Sequence, residues 1–226
     1  GEKKEILSNQ ILWLISLPVT ASLTMPDLKF EKNAGGIVAG IDEAGRGPWA
    51  GPVVAAAVII DRDQIPFCLF NSIDDSKKLS LVKREKIASR LPSCAKIGIG
   101  AATPYEIGRL NILGATLKAM ERAVNALPVK PDFALVDGNR MPALPCPAQN
   151  IIKGDSISLS IAAASIIAKV TRDRIMTKLS LRYPGYGWER NAGYGTEQHS
   201  KALRDIGVTP HHRKSFAPII KILSLS

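Results

Sequence analysis

The chain has 226 residues, of which 46% are hydrophobic and 22% charged, so it is long enough to bury one sizeable core. Its three cysteines, Cys68, Cys94 and Cys146, are far apart and form no C-x-x-C pair, which argues against a disulfide framework or a zinc knuckle. The formal net charge of +10 favours a polyanionic partner, and +6 of it falls in residues 155–226, which hold 11 Lys or Arg and 5 Asp or Glu.

An apolar run near the start, residues 11–19, is too short to span a bilayer, which needs about 20 residues. Because it follows Lys3 and Lys4, it resembles a short signal peptide. Alternatively, Met25 followed by Pro26 is the natural start, and the residues before it form an upstream segment that never joins the fold. We adopt the second interpretation and expect residues 1–35 to be a flexible N-terminal extension.

From Gly36 onward, short apolar runs alternate with turns, which is typical of the buried strands of an α/β sheet. The first two predicted strands, 36–42 and Val53–Ile60, are joined by a loop rich in Gly and Pro. A charged helical stretch at about 81–91 precedes a third predicted strand, Ala95–Ala102.

A long helix is predicted next, because Thr103 and Glu106 form a capping box with Pro104 at the first helical position. Pro128 is expected to end it. Apolar residues that step by four, three, four and three predict its buried face: Leu113, Leu117, Met120, Val124 and Leu127.

Two further strands are predicted at Phe133–Asp137 and 149–152. The run 157–181 lacks Gly and Pro and is rich in Ala and Ile, which predicts a long helix packed on the sheet. A last helix is expected from the N-cap Thr196 to just before Gly207.

Four acidic residues lie where predicted strands end or the long helix begins. Asp42 and Glu43 leave the first strand, Asp137 leaves a later strand, and Asp155 opens the long helix. Ligands collect beyond the carboxyl ends of strands in open α/β sheets, so we expect these carboxylates to converge. Four such charges repel one another unless cations bind, and two Mg²⁺ ions would neutralise them. Metal pairs about 4 Å apart serve phosphoryl displacement in nucleases and polymerases.

Any one of these acids alone is more often a solvated turn residue, so the prediction depends on the set of four. The wider sequence strengthens it, because seven blocks resemble bacterial ribonuclease HII in that family's order. They are GIDEAGRGPWAGPVVAAAV (40–58), DDSKKLS (74–80), NILGATLKAM (111–120), LVDGNR (135–140), KGDSISLSIAAASIIAKVTRDR (153–174), NAGYGT (191–196) and HRKSFAP (212–218).

The resemblance implies a ribonuclease H-like α/β fold with a mixed central sheet flanked by helices. We expect a catalytic core at 36–183 and a small C-terminal helical extension at 184–226 that contributes to substrate binding. The four carboxylates are then the catalytic residues, and they bind two Mg²⁺ or Mn²⁺ ions, with Asp42 shared by both.

A second implied group binds the substrate. Gly45, Arg46 and Gly47 match the family's Gly-Arg-Gly loop, whose main-chain groups contact the 2′-hydroxyl at the junction of RNA and DNA. Glycine lets the backbone approach the sugar closely, and the 2′-hydroxyl is what separates RNA from DNA. Tyr194 matches a tyrosine that stacks on the deoxyribose after the ribonucleotide.

Other positions match the family less firmly. Lys77 and Lys78 resemble residues that contact the nucleic-acid backbone, although a lysine pair is often only solvated surface. On the long helix, Lys169 and Asp173 are spaced to pair, and Arg172 and Arg174 are placed where they could reach phosphates. The family more often has His and Lys at the two positions 191–192, where this chain has Asn and Ala, so phosphate contact there is expected to be weaker.

The implied activity is hydrolysis of the RNA strand of RNA/DNA hybrids and cleavage on the 5′ side of ribonucleotides embedded in duplex DNA, leaving 3′-hydroxyl and 5′-phosphate ends. We expect a cytoplasmic monomer that binds such duplexes and no membrane. A dinucleotide-binding loop is excluded, because the glycine spacing is G-x-G-x-x-x-G and a strand follows it. Two alternatives stay open, a non-catalytic basic nucleic-acid binding protein and a metal-dependent DNA nuclease of the same fold.

Overall fold

Five strands form one mixed sheet at the centre of the computed structural model, which describes residues 25–224. Their spatial order is β3 (Ala95–Ala102), β2 (Val53–Ile60), β1 (Val38–Ala44), β4 (Phe133–Asp137) and β5 (Ala148–Ile151). The pairs β1–β2 and β2–β3 are antiparallel, and the pairs β1–β4 and β4–β5 are parallel. The carboxyl ends of β1, β4 and β5 therefore meet at one edge of the sheet.

Helices cover both faces of this sheet. In residues 25–224 they are α1 (Lys29–Ala34), α2 (Phe67–Phe70), α3 (Leu81–Arg90), α4 (Pro104–Asn125), α5 (Leu159–Arg182), α6 (Trp188–Asn191), α7 (Glu197–Ile206) and α8 (Ala217–Leu223). Along the fully buried β2, Ala56 and Val58 pack in the cluster that contains α5, whereas Ala55 and Ala57 pack in the cluster that contains α4. The expected mixed sheet flanked by helices is confirmed.

The buried face of α4 differs from the predicted one. Met120 and Val124 are buried, but the three predicted leucines are only half-buried, and the positions with 0% exposure are Ile107, Ala115, Ala119 and Ala123. The reason lies in β3, where Gly98 and Gly100 leave no room for a side chain. A Cβ on either glycine would lie 2.1 Å from a carbonyl oxygen of α4. The helix backbone therefore packs directly on the strand, and small residues fill the contact.

The packed structure begins before Gly36, which differs from the expected extension up to residue 35. Glu31 of α1 is buried, and its Oε1 accepts hydrogen bonds from the Ser158 hydroxyl (2.7 Å) and from the Ser160 N–H (2.9 Å). The signal-like run 11–19 lies outside the described residues. Among residues 25–224, none of the helices has both the length and the apolar character required to cross a membrane.

The C-terminal helices pack on α5 and on the loop after β1. Their contact is an apolar cluster that includes Ala50, Met176, Trp188, Leu203 and Ile219. α7 begins as predicted, because the Thr196 hydroxyl accepts a hydrogen bond from the His199 N–H at 3.3 Å. This packing brings His212 and Arg213 next to the segment that follows β1.

Candidate active site

Strand register places two predicted carboxylates side by side. Ile41 of β1 pairs in parallel with Val136 of β4, so the next residues, Asp42 and Asp137, leave adjacent strands at the same edge. Glu43 follows on β1, and its backbone N–H donates to Asp42 Oδ1 at 2.6 Å. Parallel neighbours thus deliver three acids to one end of the sheet.

Asp155 reaches the same place from a different element. It lies in the short 3₁₀ turn Gly154–Ser156 and not in the long helix, which begins later, after the N-cap Ser158. The Gly154 N–H donates a hydrogen bond of 2.7 Å to Asp137 Oδ1, which fixes the turn against β4. Asp155 is buried, and its charge adds to burial in raising the pKa of Asp137.

Burial and mutual repulsion raise the pKa of three of these carboxyl groups. Asp42 is only 4% exposed, and burial raises its pKa well above the ordinary value, with further contributions from Glu43 and Asp137. Burial is also the largest cause of the raised pKa values of Glu43 and Asp137, although Arg46 opposes it at Glu43. A cation held among them would favour the ionised form of each.

The carboxylates are held by contacts within the protein. Glu43 Oε1 lies 3.5 Å from an Arg46 guanidinium nitrogen, and Asp155 Oδ2 lies 3.4 Å from Lys77 Nζ. In the part of the chain that the structure describes, no three His, Cys, Asp or Glu side chains have metal-binding geometry. The donor set nevertheless fits hard cations in its chemistry, since it consists of carboxylate oxygens.

The predicted substrate-binding loop lies beside the predicted tyrosine. A Cβ built on Gly47 would be 3.5 Å from the Tyr194 ring, and Tyr194 is 47% exposed. The N–H groups of Trp49 and Ala50 both donate to the Gly193 carbonyl, at 2.8 and 3.3 Å. Two segments that are distant in sequence therefore form one surface next to the carboxylates.

A small cleft of about 70 Å³ opens between these features. Its lining includes Glu43, Asp137, Arg46 and Arg140. Carboxylates at the base and guanidinium groups at the rim suit a phosphodiester that approaches a cation site. A larger cavity of about 490 Å³ lies at the opposite end of β1, near Glu31 and Asp61, and contains none of the predicted site residues.

Known proteins share this fold and sequence. The family model described as Ribonuclease HII matches residues 39–219. The chain belongs to the ribonuclease HII family. Ribonuclease HII of Paramagnetospirillum magneticum is 57% identical over 199 residues, covering 88% of this chain and 99% of that protein. Ribonuclease HII of Rhodospirillum rubrum is 56% identical over 204 residues, covering 89% and 94%.

Solved structures agree with the family. The crystal structure of ribonuclease H2 from Pyrococcus horikoshii OT3 has a TM-score of 0.70 and 30% identity, and the match covers 84% of this chain and 98% of that one. The expected family and its ribonuclease H-like fold are thereby confirmed, and the chain is an enzyme of the type 2 ribonuclease H class.

The two predicted lysines have different surroundings. Lys77 Nζ lies 3.4 Å from Asp155 Oδ2. Burial lowers the pKa of Lys77, but attraction to Asp155 and Asp75 outweighs burial and raises this pKa above its ordinary value. Lys78 Nζ instead lies 3.0 Å from Asp74 Oδ1. Lys77 therefore lies among the carboxylates, whereas Lys78 pairs away from them.

Of the two α5 arginines that we expected to reach phosphates, one is inside the protein. Arg172 is wholly buried and donates to backbone carbonyls, so its side chain does not reach phosphates, and Arg174 pairs with Glu85. The predicted pair of Lys169 and Asp173 is confirmed at 2.7 Å. A sequence signal for Arg172 exists in retrospect, since it lies among buried apolar positions of the helix.

Proposed function

We propose that this chain is a metal-dependent endoribonuclease that hydrolyses the RNA strand of RNA/DNA hybrids. It cuts on the 5′ side of ribonucleotides embedded in duplex DNA and leaves 3′-hydroxyl and 5′-phosphate ends. The substrates are therefore RNA/DNA hybrids and DNA duplexes that contain ribonucleotides. Family membership supports the reaction class, and the geometry of the site supports the finer assignment.

One observation carries the proposal. The carboxylates at the ends of β1 and β4 lie next to the surface formed by Gly47 and Tyr194. Carboxylates alone would repel a phosphodiester, so their position beside a nucleic-acid surface favours catalysis over simple binding. A glycine loop next to an exposed aromatic ring suits a sugar whose 2′-hydroxyl must be distinguished.

Different residues have different proposed roles in metal binding and substrate binding. Asp42, Glu43, Asp137 and Asp155 would hold two Mg²⁺ or Mn²⁺ ions, which supply, when bound, an activated water and charge stabilisation for the attacking and leaving oxygens. Gly45, Arg46 and Gly47 contact the ribose through main-chain groups, and Tyr194 stacks on the following deoxyribose. Lys77 offers its ammonium to the scissile phosphate from beside Asp155.

The test compares three duplexes of one sequence: all DNA, DNA with one ribonucleotide, and a continuous RNA/DNA hybrid. Cleavage is measured with Mg²⁺, with Mn²⁺ and with a chelator. We expect cleavage of the last two duplexes only, with metal only, and 5′-phosphate products. Cleavage of all-DNA duplex would instead identify a DNA nuclease of the same fold, and hybrid binding without cleavage would identify a binding protein.

A matched pair of variants assigns the carboxylates. Mutation of a residue that supports a metal ligand typically lowers metal affinity or activity about 10–100-fold. Loss of a ligand itself in Asp137→Asn should therefore lower activity about 100-fold or more. Asp63→Asn removes the same charge from an exposed position at the far end of the sheet and should leave activity unchanged. Wild-type turnover by folded Asp137→Asn would refute the assignment.

A further inference from the structure

Two arginine side chains are completely buried beneath the proposed substrate surface, Arg172 and Arg213, each with 0% exposure. Arg213 donates to the carbonyls of Gly45 (2.5 Å), Arg46 (2.7 Å) and Gly51 (3.0 Å), and to that of Pro52 at 3.2 Å. The loop after β1 is thus bound from below by one guanidinium group.

Neither guanidinium group has a carboxylate partner in residues 25–224. Burial lowers the pKa of Arg172 to about 10 and, together with the charge of Arg172, that of Arg213 to about 9, so both stay charged at neutral pH. Buried charges without a counter-ion are costly, and two adjacent ones repel each other. A purely structural clamp does not require such an arrangement, because neutral donors could bind the same carbonyls.

The carbonyl contacts determine which way the loop presents its N–H groups. Within one trans peptide the C=O and the next N–H point in opposite directions. Because Arg213 draws the carbonyls of Gly45 and Arg46 inward, the N–H groups of Arg46 and Gly47 face outward. Within the described chain neither N–H donates a hydrogen bond, and both residues are exposed. Successive outward N–H groups of this kind bind oxygens.

Arg172 extends the same clamp to the tyrosine. Its guanidinium donates to the carbonyls of Ala50 (3.1 Å) and Pro52 (3.0 Å), and also to that of Ala192 at 2.9 Å. Ala192 precedes Tyr194 by two residues, and Pro52 is bonded by both arginines. The spacing between the loop and Tyr194 is therefore set by the arginine pair together with the bonds from the Trp49 and Ala50 N–H groups to Gly193.

We propose that Arg213, together with Arg172, is a positioning residue that orients the N–H groups of Arg46 and Gly47 toward the nucleic acid and fixes their distance from Tyr194. This inference rests on the proposed function. According to this proposal, the preference of the enzyme for a single RNA-to-DNA junction depends on two buried arginines that do not contact the substrate. In a continuous hybrid many ribonucleotides can occupy the loop, so an imprecise loop matters less there.

Arg213→Lys tests the proposal because it keeps the charge but donates from one nitrogen, whereas the four carbonyls are bonded by three nitrogens of the fork. The matched control is Arg122→Lys, where the lost guanidinium donates to the Ala101 carbonyl and to Glu106, away from the loop. Both variants are assayed for kcat and KM on the single-ribonucleotide duplex and the continuous hybrid, and for melting temperature.

We expect the ratio of kcat/KM on the single-ribonucleotide duplex to that on the hybrid to fall about tenfold in Arg213→Lys. The ratio should stay constant in Arg122→Lys. A merely structural role would lower kcat/KM on both substrates by the same factor. An unchanged ratio in folded Arg213→Lys therefore overturns the proposal. If that variant does not fold, Arg172→Lys is judged by the same ratio. If the wild type cuts neither duplex, the proposed function itself fails, which is a separate result.

Discussion

Acid is expected to destabilise this protein through His212, which is 1% exposed. Its Nδ1 accepts the Thr209 N–H at 2.9 Å, so its proton resides on Nε2, which lies 3.0 Å from His199 Nε2. His199 in turn has Nδ1 2.9 Å from the Tyr194 carbonyl and therefore donates there. A second proton on His212 would break the hydrogen bond from the Thr209 N–H and place a charge in a buried position, even though the Thr209 hydroxyl, 2.9 Å from Nδ1, could accept that proton.

The magnitude follows from the pKa. Burial, reinforced by the charge of His199, lowers the pKa of His212 from 6.5 to about 4. Because the folded-state pKa lies below the unfolded value, His212 contributes its full stability above about pH 6.5 and loses it as the pH falls through about 4. The difference of about 2.5 corresponds to about 3 kcal/mol in total. Roughly 2 kcal/mol of this is lost between pH 8 and pH 5.

Urea unfolding at pH 8 and at pH 5 measures the effect, with His212→Asn as the comparison. Asn cannot titrate but retains an acceptor for the Thr209 N–H. Carboxyl groups of raised pKa, such as Asp42, titrate in both proteins and cancel in the difference. The wild type should lose about 2 kcal/mol more than His212→Asn on acidification. His211→Asn, at a half-buried neighbour, is the control and should change the pH dependence less. Equal losses in wild type and His212→Asn would refute the reasoning.

Two further predictions concern recognition and packing. Tyr194→Ala should reduce cleavage at a single ribonucleotide more than cleavage of a long hybrid. The control Tyr105→Ala, which removes an exposed tyrosine on α4, should affect neither reaction. Equal losses on both substrates in Tyr194→Ala would refute the junction role of Tyr194. Gly98→Ala should cost about 1–3 kcal/mol of unfolding free energy, because its Cβ would lie 2.1 Å from the Ala123 carbonyl oxygen. A Cβ on Gly108 of α4 would have nothing within 4 Å, so Gly108→Ala should instead stabilise the protein by up to about 1 kcal/mol. Similar stability of the two variants would contradict the close contact between Gly98 and α4.

Local patterns in the sequence were enough to predict most of the elements. β2 and β3 have the predicted bounds, because each is a short apolar run between turns. The capping box at Thr103 begins α4, since a cap depends on residues three positions apart. The convergence of Asp42 and Asp137 was also predictable, because acids that end parallel neighbours must share an edge. Their roles as ligands stay a prediction.

Features that depend on contacts between distant segments were not predictable. The half-burial of Leu117 and the full burial of Ala119 follow from the bare backbone of Gly100, which precedes them by 17 and 19 residues. Likewise, nothing near Arg172 indicates that carbonyls at positions 50, 52 and 192 would surround it. An arginine in a basic protein is expected at the surface, and the apolar positions around Arg172 on its helix are the one local hint that it is inside.

The carboxylates and the proposed substrate-binding surface are therefore held in place by different kinds of contact. Asp42, Glu43 and Asp137 are positioned by strand register, and Asp155 is positioned by the turn in which the Gly154 N–H bonds to Asp137. The loop and Tyr194 are held by buried cations and by the histidine chain that ends at the Tyr194 carbonyl, so their position depends on residues from 172 to 213. Because these contacts are polar and buried, losing one leaves its partners unsatisfied, and the surface should fail before the sheet does. Acid is thus expected to impair junction recognition as the pH falls toward about 4, before β1 and β4 unfold, since protonation of His212 disturbs the support of Tyr194 directly.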